Sequence, residues 1–277
     1  MIYCGKTDVG KLRAVNQDNF IIKEYPGDVT LAVVCDGMGG ANGGATASEV
    51  AVGAFVEYVD RFGDKLAALI EEGSREDFSM NADTKELDIS EGSSIPVILT
   101  GAVSAANEAV FSKSSEDPEL LGMGTTLVAT VASGRDIYAA NVGDSRMYVI
   151  TDGGIRQITR DHSYVQHLVD LGRMSPKKAK TSKRKNIITR AVGTEAKVKT
   201  DIFRVDRDRM PEDDGKVYIL LCSDGLTNMM ETHEIADIVR SAGDGGEDKL
   251  GEATDALVDL ANERGGVDNI TVVILSV

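Results

Sequence analysis

The feature that most constrains the fold is an apolar run that ends in one carboxylate followed by glycines. The run is 31–35, and Asp36 and Gly37 follow it, with two more glycines after Met38. Such a run is typical of a strand buried on both faces, and glycines allow the backbone to turn sharply after it. Asp36 is therefore expected at a rigid strand end beside the Gly37 carbonyl, where a hard cation could bind. The alternative is a plain turn, because Asp-Gly is first of all a turn signature.

The composition of the chain predicts an ordinary globular protein. Its 277 residues are 42% hydrophobic and 27% charged, and one α/β or sandwich domain can reach this length. We find no 18-residue apolar span and no basic region followed by an apolar core at the N-terminus, so we expect a cytoplasmic protein without a membrane segment. The net charge of −15 argues against nucleic acid as the main partner. Cys4, Cys35 and Cys222 are too widely spaced for a zinc site and are expected in the core.

Strand-like and helix-like segments alternate irregularly along the chain. Strands are expected at 2–8, 19–24, 29–36, 125–133, 136–142, 145–151, 155–158, 200–205, 217–222 and 270–276. Helices are expected at 44–62, 96–112, 161–171, 233–241 and 247–263. Short turns between the strands of 125–158 predict an antiparallel meander, and Asp161 is expected to cap the third helix. This order favours an antiparallel sandwich covered by helices over a doubly wound parallel sheet.

Two segments have an unusual composition. Residues 71–95 are rich in Glu, Asp, Ser, Gly and Asn, which predicts an exposed connection and not a domain boundary. Residues 177–185 carry six Lys or Arg and no acidic residue. This basic segment is either a solvated loop or a local attraction for phosphorylated or acidic substrate segments, and its charge alone does not decide between them.

Aspartates at strand ends form the chemically informative pattern. Each adjoins an apolar run, usually next to Gly, Ser or Asn. They are Asp18, Asp36, Asp144, Asp224 and Asp268. If they meet at one edge of a sandwich, their charges require neutralisation, and an all-oxygen set selects Mg²⁺ or Mn²⁺ over zinc or iron. The alternative, that each aspartate only ends its strand, is better for any single site and weaker for all of them together.

These positions belong to a longer series of motifs. In order, the series is Arg13-x-x-Asn16-Gln17-Asp18, Asp36-Gly37-Met38-Gly39-Gly40, Gly124-Thr125-Thr126, Asn141-Val142-Gly143-Asp144-Ser145-Arg146, Asp161-His162-Ser163, Ile188-Thr189-Arg190-Ala191-Val192-Gly193, Ser223-Asp224-Gly225-Leu226 and Asp268-Asn269-Ile270-Thr271. It resembles the metal-dependent (type 2C, PPM) protein serine/threonine phosphatases, and most closely their compact bacterial members. The resemblance covers nearly the whole chain.

The resemblance implies an α+β fold, a four-layer α-β-β-α sandwich of two antiparallel sheets flanked by helices. It implies one catalytic domain over 1–277, with a flap subdomain at about 163–187 and the exposed polar insertion at about 71–95. It also implies a binuclear Mg²⁺ or Mn²⁺ centre with a possible third, looser ion.

The same resemblance implies a role for each matching residue. Asp36 would bridge two ions, with the Gly37 carbonyl on the first and Asp224 and Asp268 on the second. Asp18 would act through a metal-bound water. Asp144, together with Asp224, would hold the third ion.

The implied reaction is hydrolysis by a bridging water that is activated between the two ions. Arg13 matches the phosphate-binding arginine, whose planar fork suits two phosphate oxygens. Two positions depart from the family pattern. Met38 stands where animal members have the histidine proposed as general acid, and Ser182 stands where bacterial members often have a flap histidine. His162 is expected to be structural.

Three functions are compared. The first is hydrolysis of phosphoserine and phosphothreonine in proteins, opposing a bacterial Ser/Thr kinase, by a monomer that binds neither nucleic acid nor membranes. The second is a silent regulatory module that binds phosphoproteins, which an intact set of carboxylates and Arg13 disfavours. The third is a two-metal nuclease or a small-molecule phosphohydrolase. The charge opposes a nuclease, whereas a small-molecule substrate stays open.

Overall fold

The computed structural model describes residues 1–73, 94–134, 136–205, 216–243 and 245–277. Over these ranges the strands are β1 Ile2–Asp8, β2 Asp18–Tyr25, β3 Val29–Met38, β4 Gly124–Thr125, β5 Leu127–Ser133, β6 Asp136–Val142, β7 Arg146–Thr151, β8 Gly154–Gln157, β9 Asp201–Val205, β10 Tyr218–Cys222 and β11 Ile270–Ser276. The helices are α1 Gly40–Asp60, α2 Leu66–Gly73, α3 Ile95–Glu116, α4 Tyr164–Asp170, α5 Pro176–Lys180, α6 Asp224–Thr227, α7 Thr232–Ser241 and α8 Gly246–Glu263.

The strands form two sheets. One has the order β1-β11-β10-β7-β8, and the other has the order β2-β3-β5-β6-β9 with β4 beside β3. Each described pairing is antiparallel. Helices cover the outer face of each sheet, which confirms the predicted four-layer α-β-β-α sandwich.

The apolar run of β3 is buried on both faces, as predicted. Leu31, Val33 and Cys35 pack in the core with α1 and α3, whereas Ala32 and Val34 pack between the two sheets. Successive strand residues point to opposite faces, so every side chain of a strand covered on both sides is buried and apolar residues are favoured at every position. The run therefore fixes β3 as an interior strand and holds Asp36 near its end.

The helix α3 corrects one sequence expectation. It has 22 residues and is long and apolar enough to cross a membrane by length and composition alone, with half of its apolar window buried within the protein. Leu99, Val103 and Val110 lie in the core that α3 shares with α1 and β3. Packing between a sheet and a second helix accounts for its apolar character, so the expectation that no such span exists was wrong.

The predicted meander over 125–158 is also wrong. β5 pairs with β6 and β7 pairs with β8, but β6 and β7 belong to different sheets. The turn between them contains Gly143, whose φ of 109° is unfavourable for other residues. A short connection predicts neighbouring strands, but this one carries the chain from one layer to the other.

Other boundaries also differ from the sequence expectations. The helix predicted at 161–171 begins at Tyr164 with Ser163 as its N-cap, whereas Asp161 accepts two hydrogen bonds from the Arg146 guanidinium, at 2.8 and 2.6 Å. Most of the insertion predicted at 71–95 lies outside the described residues. Its ends belong to α2 and α3.

Candidate active site

Asp18 and Asp36 face each other across two paired strands. They are direct partners in the register of β2 and β3, so their side chains lie on the same face of the sheet. Like charges at directly opposed positions destabilise a sheet. The pair therefore requires a proton or a cation nearby, and it reproduces in three dimensions the crowding expected from the sequence.

Asp224 and Asp268 come from the other sheet. Asp224 is the first residue of α6, directly after β10, and Asp268 lies two residues before β11. Since β10 and β11 are antiparallel neighbours, the end of one lies beside the start of the other. Ser223 donates a backbone hydrogen bond to the Thr271 carbonyl at 3.1 Å and holds the two segments together.

Asp144 lies in the turn that connects the sheets. Four carboxylates and Arg13 border one open cavity of about 410 Å³, and the acidic members are Asp36, Asp144, Asp224 and Asp268. Asp18 is buried behind Asp36. The structure thus brings together all the site residues named from the sequence, with the Gly37 backbone at the same cavity. Their role as metal ligands stays a prediction.

Crowding and removal from water change the proton affinity of these aspartates. Burial is the first cause for each, followed by carboxylate neighbours for Asp36, Asp144 and Asp224. The pKa of Asp36 rises well above its ordinary value. The pKa rises to about 7 for Asp18 and Asp144, and to about 6 for Asp224. A cation in the cavity would oppose these shifts, because it favours the ionised carboxylates.

Asp18 is anchored on one oxygen only. The hydroxyls of Ser223 and Thr271 each donate a hydrogen bond to its Oδ2 at 2.7 Å, whereas its buried Oδ1 has no partner. Buried carboxylate oxygens without a donor are rare. An oxygen of this kind, in an all-oxygen environment, fits a hard cation or a water that the cation holds.

The position of Asp36 is set through its backbone. Its N–H donates to the Thr126 hydroxyl at 2.9 Å and its carbonyl accepts from the Thr126 N–H at 2.8 Å. The Thr126 hydroxyl also contacts the Ser145 hydroxyl at 2.7 Å, next to Asp144. Thr126 therefore links the two turns that carry Asp36 and Asp144.

Sequence reasoning quoted Thr126, Ser223 and Thr271 within motifs but gave them no role. A signal was available in the motifs. Ser223 and Thr271 lie one and three positions from a motif aspartate, and Thr126 belongs to the motif Gly124-Thr125-Thr126. What the sequence does not show is which aspartate each hydroxyl reaches. Thr271 and Ser223 both bond to Asp18, more than 200 positions away.

The site does not form a closed cage of side chains. Within the ranges that the structure describes, no three His, Cys, Asp or Glu side chains converge closely enough to surround one ion. Mg²⁺ commonly uses one or two carboxylates and keeps several waters, so an open arrangement suits it. The residues present fit hard divalent cations.

Arg13 lies at the rim of the cavity, and its side chain is 52% exposed. Its Nη2 donates to Asp268 Oδ2 at 2.9 Å. In an acidic cluster the nearest guanidinium is drawn to a carboxylate, so Arg13 is paired here with one of the predicted metal ligands.

The segment 163–187 forms a helical excursion beside the cavity. It contains α4 and α5, and its two ends are joined where Tyr164 N–H donates to the Ile187 carbonyl at 2.8 Å. Two cations of the basic segment contact the body of the protein: Lys180 bonds Glu231 and Lys185 bonds Asn228, each at 2.6 Å. Asn228 in turn donates to Asp224 Oδ2 at 2.9 Å.

Comparisons with known proteins agree with this geometry. Residues 11–255 match the family model described as Protein phosphatase 2C. The serine/threonine phosphatase stp of Listeria welshimeri is 35% identical over 270 residues, which cover 98% of this chain and 93% of that protein. The chain belongs to the protein phosphatase 2C family. It is a protein serine/threonine phosphatase of the bacterial type.

Further members of the protein phosphatase 2C family extend the likeness. PstP of Mycobacterium tuberculosis is 32% identical over 277 residues, 99% of this chain and 45% of that protein. The crystal structure of Stp1 from Staphylococcus aureus superposes with a TM-score of 0.78 at 29% identity, covering 100% of this chain and 95% of that one. The catalytic domain of PstP in complex with two manganese ions has a TM-score of 0.71 at 28% identity, covering 98% of this chain and 96% of that chain.

Proposed function

We propose that this phosphatase hydrolyses phosphoserine and phosphothreonine in proteins with Mg²⁺ or Mn²⁺ held by its strand-end aspartates. The proposed ligands are Asp18, Asp36, the Gly37 carbonyl, Asp144, Asp224 and Asp268. The observation that supports this most is the single cavity that four of these carboxylates share with Arg13. Asp36 would hold both core ions, the first together with the Gly37 carbonyl and the second together with Asp224 and Asp268. Asp144 and Asp224 would hold a third, looser ion.

The proposed chemistry divides between ions and side chains. When bound, the ions would supply the positive charge that neutralises the carboxylates and activates a bridging water to attack phosphorus. Asp36 and Asp224 are expected to hold this charge at the cavity, and Asp18 to fix the orientation of water through its unpartnered Oδ1. The protein supplies no side-chain nucleophile in this scheme.

Arg13 is proposed to bind the substrate phosphate. Its guanidinium presents a planar fork that can donate to two phosphate oxygens. Cations bound by Asp268 would weaken the present pairing between Arg13 and that carboxylate, because the carboxylate charge would be shared. Arg13 would then become available to the substrate.

We also propose one catalytic domain over 1–277 with a flap at about 163–187. The flap is supported by its closed base and by the absence of buried residues in α5. Phosphorylated proteins are the proposed substrates, with a bacterial Ser/Thr kinase and its targets among them. A monomeric state and a cytoplasmic location stay predictions, as does the role of the basic segment.

The test is hydrolysis of a phosphothreonine peptide without metal, with Mg²⁺ and with Mn²⁺. Wild type is compared with Asp36→Asn and Asp224→Asn, and with Asp152→Asn as a matched control that removes the same charge from an exposed turn. We expect turnover that depends on metal and persists in the control. It should fall by at least about a hundredfold in both site variants, because each substitution removes a charged metal ligand.

The same assay separates the remaining functions. An aryl phosphate measured in parallel distinguishes a protein phosphatase from a small-molecule phosphohydrolase, because the latter would prefer the small substrate. Folded, metal-loaded wild type that turns over neither substrate would refute the proposal and favour a silent phosphoprotein-binding module.

A further inference from the structure

Two of the hydrogen bonds of His162 join it to one glycine, the residue before Asp144. The backbone N–H of Gly143 donates to the ring nitrogen Nδ1 of His162 at 3.0 Å. The backbone N–H of His162 donates to the Gly143 carbonyl at 2.9 Å. His162 is 8% exposed. Both polar groups of the Gly143 backbone are therefore occupied by a single buried residue.

These contacts determine where the imidazole proton lies. A backbone N–H is always a donor, so Nδ1 must be the acceptor and carries no proton. The proton of the neutral ring is then on Nε2, which donates to Asp201 Oδ2 at 3.0 Å. Arg190 Nη1 also lies 2.9 Å from Nε2, but Asp201 Oδ1 and the Lys199 carbonyl accept from this nitrogen at 2.7 and 3.2 Å and can take both of its hydrogens, so Nε2 need not be an acceptor. A proton on Nδ1 would face the Gly143 N–H, and the hydrogen bond between these two nitrogens would be lost.

Asp201 holds the ring from the far side. It is the first residue of β9, and its other oxygen accepts from Arg190 Nη1 at 2.7 Å. Burial alone would raise the pKa of Asp201, but the bonds from His162 and Arg190 outweigh burial and lower it to about 2. A permanently ionised carboxylate thus orients the imidazole, in the way that a carboxylate beside a metal-binding histidine fixes its tautomer.

Gly143 requires such support because its backbone conformation is intrinsically free. Its φ is 109°, a region that glycine enters and leaves readily. A Cβ at this position would lie 2.6 Å from Thr126 Cγ2, so the chain cannot use a stiffer residue here. The Gly143 N–H and carbonyl belong to the two peptide groups on either side of this residue, and His162 bonds to both. It therefore restrains the backbone angles that set the direction of the Asp144 side chain.

We propose that His162 is a positioning residue for Asp144: its Nε2–H tautomer, held by Asp201, locks the backbone on both sides of Gly143 and so aims the Asp144 carboxylate into the cavity. The inference deepens the proposed function and rests on it, since it assumes that Asp144 is a ligand of the looser ion. His162 contacts no carboxylate that lines the cavity in any described bond, so its effect on Asp144 passes through Gly143.

Two substitutions separate the two ends of the ring. His162→Asn places an amide oxygen near the former Nδ1 and keeps an acceptor for Gly143, whereas His162→Gln reaches toward Asp201 and leaves the Gly143 N–H without its acceptor. Both variants lose the imidazole ring, so the loss of its packing is common to both. Each is made in wild type and in Asp144→Asn, and thermal unfolding of the four proteins verifies that they fold.

The main measurement is calorimetric binding of Mn²⁺ to the metal-free proteins. We expect His162→Gln to weaken the loosest Mn²⁺ site about tenfold, the scale of an outer supporting contact, and His162→Asn to stay close to wild type. In the Asp144→Asn background His162→Gln should have no further effect, because the residue it positions is already altered. A purely structural histidine would instead add its effect in both backgrounds.

A second measurement needs no metal. Long-range ¹H–¹⁵N spectra of the metal-free wild type should show His162 with its proton on Nε2 and an unprotonated Nδ1. The Nδ1–H tautomer, equal weakening by the Asn and Gln variants, or an undiminished effect in Asp144→Asn would each overturn the inference. If Asp144→Asn itself binds Mn²⁺ like wild type, the ligand assignment of the proposed function is wrong and the inference falls with it.

Discussion

At the scale of single residues, the acidic site depends on small hydroxyl groups that hold the carboxylates in place. Asp18 illustrates this dependence. It is buried opposite Asp36, and two hydroxyl donors on the neighbouring sheet compensate only its Oδ2. Removing a donor from a buried carboxylate costs more than a neutral hydrogen bond is worth, since the charge is left without compensation.

We predict that Thr271→Val lowers the affinity for Mn²⁺ by about tenfold. The substitution hardly changes the side-chain volume, but it removes one of the two donors that orient Asp18. The matched control is Thr254→Val in α8, a fully buried threonine whose hydroxyl bonds the Leu250 carbonyl. Titration of the metal-free proteins with Mn²⁺ measures the difference. Equal affinities for wild type and Thr271→Val would show that the hydroxyl does not support the site.

At the scale of secondary-structure elements, close backbone contact between β3 and α1 places the site. A Cβ on Gly37 would collide with the carbonyl of Gly44 in α1 and would lie 2.6 Å from the Gln17 carbonyl oxygen. Glycine at 37 therefore serves packing as well as the predicted ligand role of its carbonyl. The turn after the buried strand is tight because two backbones meet there.

We predict that Gly37→Ala destabilises the protein by about 1–3 kcal/mol, the usual cost of overpacking. Gly53→Ala in α1, the helix that packs against Gly37, is the control. Gly53 is exposed, with open space where a Cβ would lie, so alanine there should stabilise the protein by about 0.5–1 kcal/mol through better helix propensity. Urea unfolding of the metal-free variants measures both. A Gly37→Ala variant as stable as wild type would contradict the close contact.

At the scale of the whole molecule, the sandwich gathers negative charge from both sheets at one end. β2 and β3 contribute two of the aspartates, the segments around β10 and β11 contribute two more, and the turn between the sheets contributes the last. The net charge of −15 adds to this local excess. Folding without a cation must therefore oppose electrostatic repulsion, which a proton can relieve.

We predict that the metal-free protein becomes less stable as the pH rises from about 4 to about 8. The folded pKa values of Asp18 and Asp144 are about 7, against an ordinary value of 3.8. Between these values the folded protein binds more protons than the unfolded chain, so raising the pH favours unfolding. Asp201, with its pKa lowered to about 2, changes the stability with pH only below this window, because within the window it is ionised in both the folded and the unfolded protein.

Thermal unfolding at pH 5 and pH 8 provides the measurement. Saturating Mg²⁺ or Mn²⁺ should reduce the difference in stability between the two pH values. Asp36→Asn should reduce it without metal, because it removes a buried carboxylate whose own pKa is raised well above its ordinary value. Higher stability of the metal-free wild type at pH 8 than at pH 5 would contradict the prediction.

The sequence by itself predicted the layers and the residues that meet at the site. The irregular alternation of strands and helices predicted an antiparallel sandwich covered by helices, and the resemblance of the motifs to type 2C phosphatases implied its four layers. Each predicted aspartate lies at the site. These features depend on local periodicity and on residue type, which a linear pattern contains. Strand ends are also local features, so the positions of the carboxylates along the chain were readable.

Only the tertiary structure decided what joins these parts. The turn at Gly143–Ser145 looked like one more hairpin, yet it crosses between sheets, because pairing depends on which strands lie alongside and not on loop length. Asp161 looked like a helix cap but pairs with Arg146. The bonds from Thr271 to Asp18 and from His162 to Gly143 join residues far apart or on different elements. Side-chain direction and long-range proximity arise only when the layers pack, which is why sequence reasoning found the carboxylates but not the residues that hold them.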